Sequence, residues 1–113
     1  MPVKGKGPSA ALLASAVQSH FAAQALVAAD PADLMRRLNH ALLRRAVEAR
    51  FATMFYGVLE PGGRLTYANA GQEPPVLVRR ASVELLEQGG PVLGLLSVAE
   101  YAFGADVPVQ HRP

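Results

Sequence analysis

Apolar and polar positions alternate in short runs through the middle of the chain, and glycine and proline separate the runs. In residues 51–60 both alternating sets are apolar: Phe51, Thr53, Phe55 and Gly57 on one, Ala52, Met54, Tyr56 and Val58 on the other. Such a run predicts a central strand covered on both faces. Pro61, Gly62 and Gly63 supply turn chemistry, a fixed φ followed by two residues free to take positive φ. Residues 64–70 alternate again, residues 71–75 break the pairing, and residues 76–78 begin a third strand. A turn at residues 79–82 leads to a fourth strand over 83–87, and the alternation of Tyr101 and Phe103 against Ala102 and Gly104 predicts a fifth over 100–107. Gly94 inside the apolar run 92–96 predicts a close backbone approach.

Upstream the period changes to that of a helix. Residues 10–27 place Leu13, Val17, His20, Phe21 and Gln24 on one broad face. His20 thus falls at the core's edge, and no second histidine or carboxylate one turn away makes it a metal ligand. Asp30 then caps a second helix, with Pro31 at its first position and Asp33 in its first turn. Leu34, Leu38 and Leu42 form its core stripe, flanked by Met35, Ala46 and Ala49. Arg36, Arg37, His40 and Arg44 share another arc. No aromatic is interleaved for stacking and Leu43 and Val47 intrude, so the arc reads as a solvated exterior, not a nucleic-acid face. The short connection predicts an antiparallel helix pair. The fold class is α+β: this pair covers one face of an antiparallel β-meander. Little sequence remains to cover the other face, which predicts a partner, further sequence, or self-association there.

Composition narrows this picture. At 113 residues, half hydrophobic and 18% charged, the chain is of one-domain size and able to bury a core. Without cysteine there are no disulfides or thiolate metal sites. No apolar run reaches the length of a membrane span and the N-terminus does not resemble a signal peptide, so a cytoplasmic protein is expected. A net charge of +2 does not argue for nucleic acid. The Gly5-Lys6-Gly7 segment before Pro8-Ser9 is open to two readings: a glycine loop feeding an anion-binding helix N-terminus, or a flexible start. Arg79-Arg80-Ala81-Ser82 fits a basic-directed kinase site, but a hairpin turn accounts for it.

Taken together the pieces resemble the sporulation stage II protein E-type branch of the metal-dependent (PPM) serine/threonine phosphatases. A family motif close to G-D-V-S-G-K-G leading into A-A-L-L is matched by Val3, Gly5, Lys6, Gly7 and residues 10–13. Its D-P-x-x-L…L-N helix is matched by Asp30, Pro31, Leu34, Leu38 and Asn39, and its F-x-T-x-F-Y-G-V-L strand by residues 51–59. An A-N-A-G-H-x-P-P strand end is matched by residues 68–75, with Gln72 in place of histidine, and G-x-P-L-G-L by residues 90–95. The resemblance runs over residues 3–96, and residues 108–113 form an unpatterned tail.

The resemblance implies an α-β-β-α sandwich with a pair of Mn²⁺ or Mg²⁺ ions held by aspartates between the sheets. The ions would activate a water that hydrolyses phosphoserine, typically on a phosphorylated anti-sigma-factor antagonist in bacterial partner switching. It also implies that residues 1–113 are a partial domain, truncated at both ends. The family's metal aspartate falls at Pro2, and its T-D-G strand and last aspartate would lie beyond Pro113. Of the metal positions Val3 remains, through its backbone carbonyl; Gly5, Lys6 and Gly7 would edge the active site, with Asn69, Gly71 and Gln72 as the next stretch of interest. No catalytic residue is assigned. The nine acids of the chain form no pair with metal-site spacing on one element. Phosphate-monoester hydrolysis requires up to about 10²¹-fold acceleration, so this chain alone is expected to be inactive. The alternative is a non-catalytic module that binds a phosphoprotein or regulator.

Overall fold

The computed structural model describes residues 7–44 and 52–109. Val3, Gly5, Lys6, Ala46, Val47, Ala49, Phe51 and residues 110–113 lie outside them. Two helices, α1 (Gly7–Ala25) and α2 (Pro31–Leu43), precede six strands: β1 (Met54–Leu59), β2 (Arg64–Ala70), β3 (Val76–Val78), β4 (Val83–Leu85), β5 (Gly89–Gly90) and β6 (Gly104–Pro108). The fold is α+β, as the patterning predicts.

Helix α2 starts as its sequence dictates. Asp30 has extended backbone and its carboxylate accepts from the Asp33 N–H at 2.7 Å. Asp33 reaches back to accept from the Ala29 N–H at 2.9 Å, so two N–H groups at the helix start are satisfied reciprocally. That bond, with the Arg37 guanidinium at 2.9 Å, holds the Asp33 carboxyl below the ordinary aspartate range. Leu34, Met35 and Leu38 are fully buried, and Leu42 nearly so. Arg36, Arg37, His40 and Arg44 are exposed, the solvated arc expected. Helix α1 packs on α2 and buries Val17, while Phe21 meets Tyr56 of β1 edge-to-face with centroids 5.4 Å apart.

The sheet departs from a simple meander. β1 and β2 form the expected antiparallel hairpin, closed by Gly63 at φ 84°. β2, not the run 51–60, is the central strand. One edge of β2 pairs with β1; the other pairs antiparallel with β6 along its first half and parallel with β5 at Asn69 and Ala70. Among the described residues β1 is an edge strand, and its Val58 and Leu59 are 43% and 61% exposed. Apolar residues on both faces report burial of faces, whereas a central position is set by pairing at both edges. Two further bounds differ. The fourth strand ends at Leu85, although the Leu86 N–H still donates to the Pro75 carbonyl at 2.8 Å. The fifth expected strand begins only at Gly104, because Tyr101 turns inward and its hydroxyl donates to the Val92 carbonyl at 3.3 Å.

Two apolar layers flank the sheet. Met54, Ala68 and Ala70 face Leu34, Met35, Leu38 and Val17 of the helices. On the opposite face Tyr67 and Val107, with Phe55 stacked on Tyr67, pack against Leu86 and Leu77. The second cover is therefore supplied by the chain itself: β3 and β4 form a separate two-stranded ribbon over that face. Arg79 ties the ribbon to β6 by donating from Nε and Nη2 to the Pro108 carbonyl, and it pairs with Glu84 at 2.8 Å.

Candidate functional site

The turn leaving β2 is built from Asn69. Its side chain is buried; Oδ1 accepts from the Gln72 N–H at 2.8 Å and Nδ2 donates to the Gln72 carbonyl at 3.1 Å. The amide thus replaces backbone partners across the bend. Gly71 takes φ 77°, and a Cβ there would strike Val92. Its N–H donates to the Gly90 carbonyl at 3.1 Å, while the Asn69 N–H donates to the Gln88 carbonyl at 2.9 Å. The short strand β5 lies against this turn because it has no side chains. A Cβ on Gly89 would fall on the Asn69 carbonyl, and one on Gly90 would meet the Glu100 carbonyl and the Tyr101 ring. Burial raises the Tyr101 hydroxyl's pKa to about 12.

A second amide completes this end of the fold. Asn39 of α2 is buried, accepts from the Gly94 N–H at 2.7 Å and donates to the Leu96 carbonyl at 3.1 Å. Gly94 sits at φ 85°, so the glycine there serves backbone conformation. Leu93, one residue earlier, exchanges both backbone hydrogen bonds with Ala52 at 2.8 and 3.0 Å. Asn39 entered the sequence reading only as a family letter. Its signal was a lone amide one residue from Leu38 and four from Met35, on the apolar side of α2, where a buried polar group must find partners.

Of the site residues expected from sequence, Asn69, Gly71 and Gln72 are brought together in one turn. Asn69 spends both ends of its amide on that turn, and Gln72 is half-buried. Gly7 is the first residue of α1, and no hydrogen bond joins it to that turn among the described residues. Val3, Gly5 and Lys6 lie outside the described residues.

The described residues do not fit a dication. Hard ions require several oxygen ligands, usually with carboxylates among them. Asp30 and Asp33 are committed to the start of α2, Glu84 pairs with Arg79, and Glu60, Glu73, Glu87 and Glu100 are exposed on separate segments. Among the described residues no group of three or more His, Cys, Asp and Glu converges on one point. A cleft of about 340 Å³ opens at the other end of the β1–β2 hairpin, lined by Ala28, Asp30, Leu34, Tyr56, Val58 and Thr66. It presents a carboxylate and no cation, which suits neither a phosphate nor the turn's chemistry.

The arrangement is a scaffold: a helix pair and a central strand whose turn, glycine strand and Asn39-held loop gather at one end. Comparison with known families agrees with that scaffold. The model of the Stage II sporulation protein E (SpoIIE) family matches residues 2–107. The chain belongs to this family, and so to the PPM-type phosphatase-related domains. No curated protein and no solved structure matches it. Among the described residues no helix is long and apolar enough to cross a membrane.

Proposed function

We propose that these 113 residues are the helix-pair and central-strand portion of a metal-dependent phosphoserine phosphatase domain. Its substrate would be a phosphorylated anti-sigma-factor antagonist in bacterial partner switching, in the cytoplasm. In that reading Val3, Gly5, Lys6 and Gly7 border the active site, with the Asn69–Gln72 turn beside it, and Mn²⁺ or Mg²⁺ is the metal. The family match over residues 2–107 carries the proposal.

By themselves the 113 residues do not hydrolyse phosphoserine. The dispersal of Asp30, Asp33 and Glu84 into capping and ion-pair roles supports this, because a metal-bound water needs carboxylates that converge. A second reading, a phosphoprotein-binding module without turnover, rests on the same observation. Calorimetry with a phosphorylated antagonist protein, with and without Mn²⁺, separates the two. Tight binding in the absence of metal favours the module. Release of inorganic phosphate by this chain contradicts both the inactivity of the 113 residues by themselves and the module without turnover.

A further inference from the structure

A hairpin turn accounts for the Arg-Arg-Ala-Ser segment between β3 and β4 as local structure, yet it leaves the serine open. Ser82 follows Arg79 and Arg80, and no other serine or threonine of the chain has arginine both two and three residues before it. Arg80, Ala81 and Ser82 are all exposed. A serine behind two arginines is the pattern read by kinases directed to basic substrates, whose carboxylates meet the cations.

Geometry gives this serine a consequence. The ribbon pairs Leu77 with Glu84, and the Arg79 N–H continues the ladder by donating to the Ser82 carbonyl at 2.8 Å. Arg79 and Ser82 are thus opposite residues at a hydrogen-bonded position, with Cα atoms about 5.5 Å apart and side chains on one face of the ribbon. Leu77 shows which face, because it packs inward on the layer of Tyr67. From that face Arg79 donates to the Pro108 carbonyl, from Nε at 3.0 Å and Nη2 at 2.8 Å, while Nη1 pairs with Glu84 at 2.8 Å. One guanidinium therefore fastens the ribbon to β6, and Ser82 stands beside it.

We propose that Ser82 is a phosphorylation site for a serine kinase that reads basic residues, and that phosphate there unfastens the ribbon from β6. The Ser82 Oγ bonds to the γ-phosphorus of ATP as the bond to the ADP oxygen breaks, and the hydroxyl proton passes to the kinase's catalytic base. The phosphoserine carries a charge of about −1.5 to −2 and three acceptor oxygens. Opposite Arg79 it draws the guanidinium from the Pro108 carbonyl, since a dianion is the stronger acceptor. It also repels Glu84 on the same face. A two-stranded ribbon is marginal by itself, so losing this link loosens it over Tyr67 and Val107. The proposal does not depend on the phosphatase reading.

The test incubates the 113-residue chain with ATP, Mg²⁺ and the catalytic subunit of cyclic-AMP-dependent protein kinase, and maps phosphate by mass spectrometry. The expected result is phosphate on Ser82, with kcat/KM lowered about tenfold in Arg80→Ala, the loss of one charged hydrogen bond to the kinase. Hydrogen exchange then compares the two forms of the unsubstituted chain. The Leu77 and Arg79 amides should exchange about tenfold faster once Ser82 is phosphorylated, while the Leu38 amide of α2 is unchanged. Arg80 is exposed, far-UV circular dichroism checks that Arg80→Ala folds, and the exchange comparison needs no variant. A synthetic peptide of residues 76–86 controls for access. Phosphate on the peptide but not on the folded chain overturns the proposal, as does none on Ser82 in either. So does phosphorylation indifferent to Arg80→Ala, or ribbon amides whose exchange the phosphate leaves unchanged.

Discussion

Replacing Asn39 by alanine tests how the loop after β5 is held. The substitution removes an acceptor 2.7 Å from the Gly94 N–H and a donor 3.1 Å from the Leu96 carbonyl. An unsatisfied buried donor costs about 1–3 kcal/mol. Gly94 is half-buried, so its N–H falls in the middle of that range, whereas Leu96 is 47% exposed and water can serve its carbonyl at a cost under about 1 kcal/mol. The sum is about 2 kcal/mol. With a urea m-value of about 2 kcal/mol/M for a domain of this size, the unfolding midpoint should fall by about 1 M at unchanged slope. Hydrogen exchange gives a local readout, since the Gly94 amide should lose protection beyond the global change. Asn39→Asp keeps the acceptor for Gly94 and loses the donor to Leu96, so its Gly94 amide should stay protected. A midpoint shift below about 0.3 M, with Gly94 still protected in Asn39→Ala, would refute the claim that this amide holds the loop.

Other expected outcomes follow the same reasoning. Gly89→Ala places a methyl on the Asn69 carbonyl, so the pairing of β5 with β2 must break; the Asn69 amide loses exchange protection and thermal stability drops by more than the few tenths of a kcal/mol ordinary at the surface. Asp33→Ala removes the bonds to Ala29 and Arg37 and should cost about 1 kcal/mol by chemical denaturation. Because the Asp33 pKa is lowered in the folded state, its contribution is present above the unfolded value and is lost as pH falls through the folded one. The wild-type advantage over Asp33→Ala should therefore shrink on acidification below about pH 4. Tyr101 is the reverse case: with a pKa of about 12 in the folded chain, it should lose stability as pH climbs from about 10 towards 12. Tyr101→Phe should lessen that loss in alkaline unfolding curves.

The parts of the fold that sequence made legible are those fixed by local chemistry. Asp30, Pro31 and Asp33 announce the start of α2, and the four-residue recurrence of Leu34, Leu38 and Leu42 gives its buried face without reference to the rest of the chain. Pro61 to Gly63 likewise mark the hairpin. What sequence did not show depends on distant backbone. Gly89 and Gly90 looked like a break, yet they form a parallel strand because Asn69 and Ala70 can approach only where no Cβ intervenes. Placing residues 51–60 at the centre confused covered faces with paired edges. The cover of the second sheet face was also hidden: the residues of β3 and β4 were identified as strands, but nothing in their alternation says that they leave the main sheet and lie over it. For the site, the family resemblance points to Asn69, Gly71 and Gln72 as a stretch of interest, and the alternation of residues 64–70 gives no sign that the Asn69 side chain builds the turn after the strand; Asn39 is legible only as an amide in an apolar stripe.

The central claim is that this chain carries the family's scaffold while its described carboxylates are dispersed over capping, ion pairing and the surface. Para-nitrophenyl phosphate turnover in saturating Mn²⁺, with metal binding measured by calorimetry on the same sample, tests it most directly. The account predicts no saturable Mn²⁺ binding and no metal-dependent turnover by the 113 residues. Saturable binding with turnover abolished by a chelator would contradict it, and would require carboxylates assigned here to capping, ion pairing or the surface to converge on a metal.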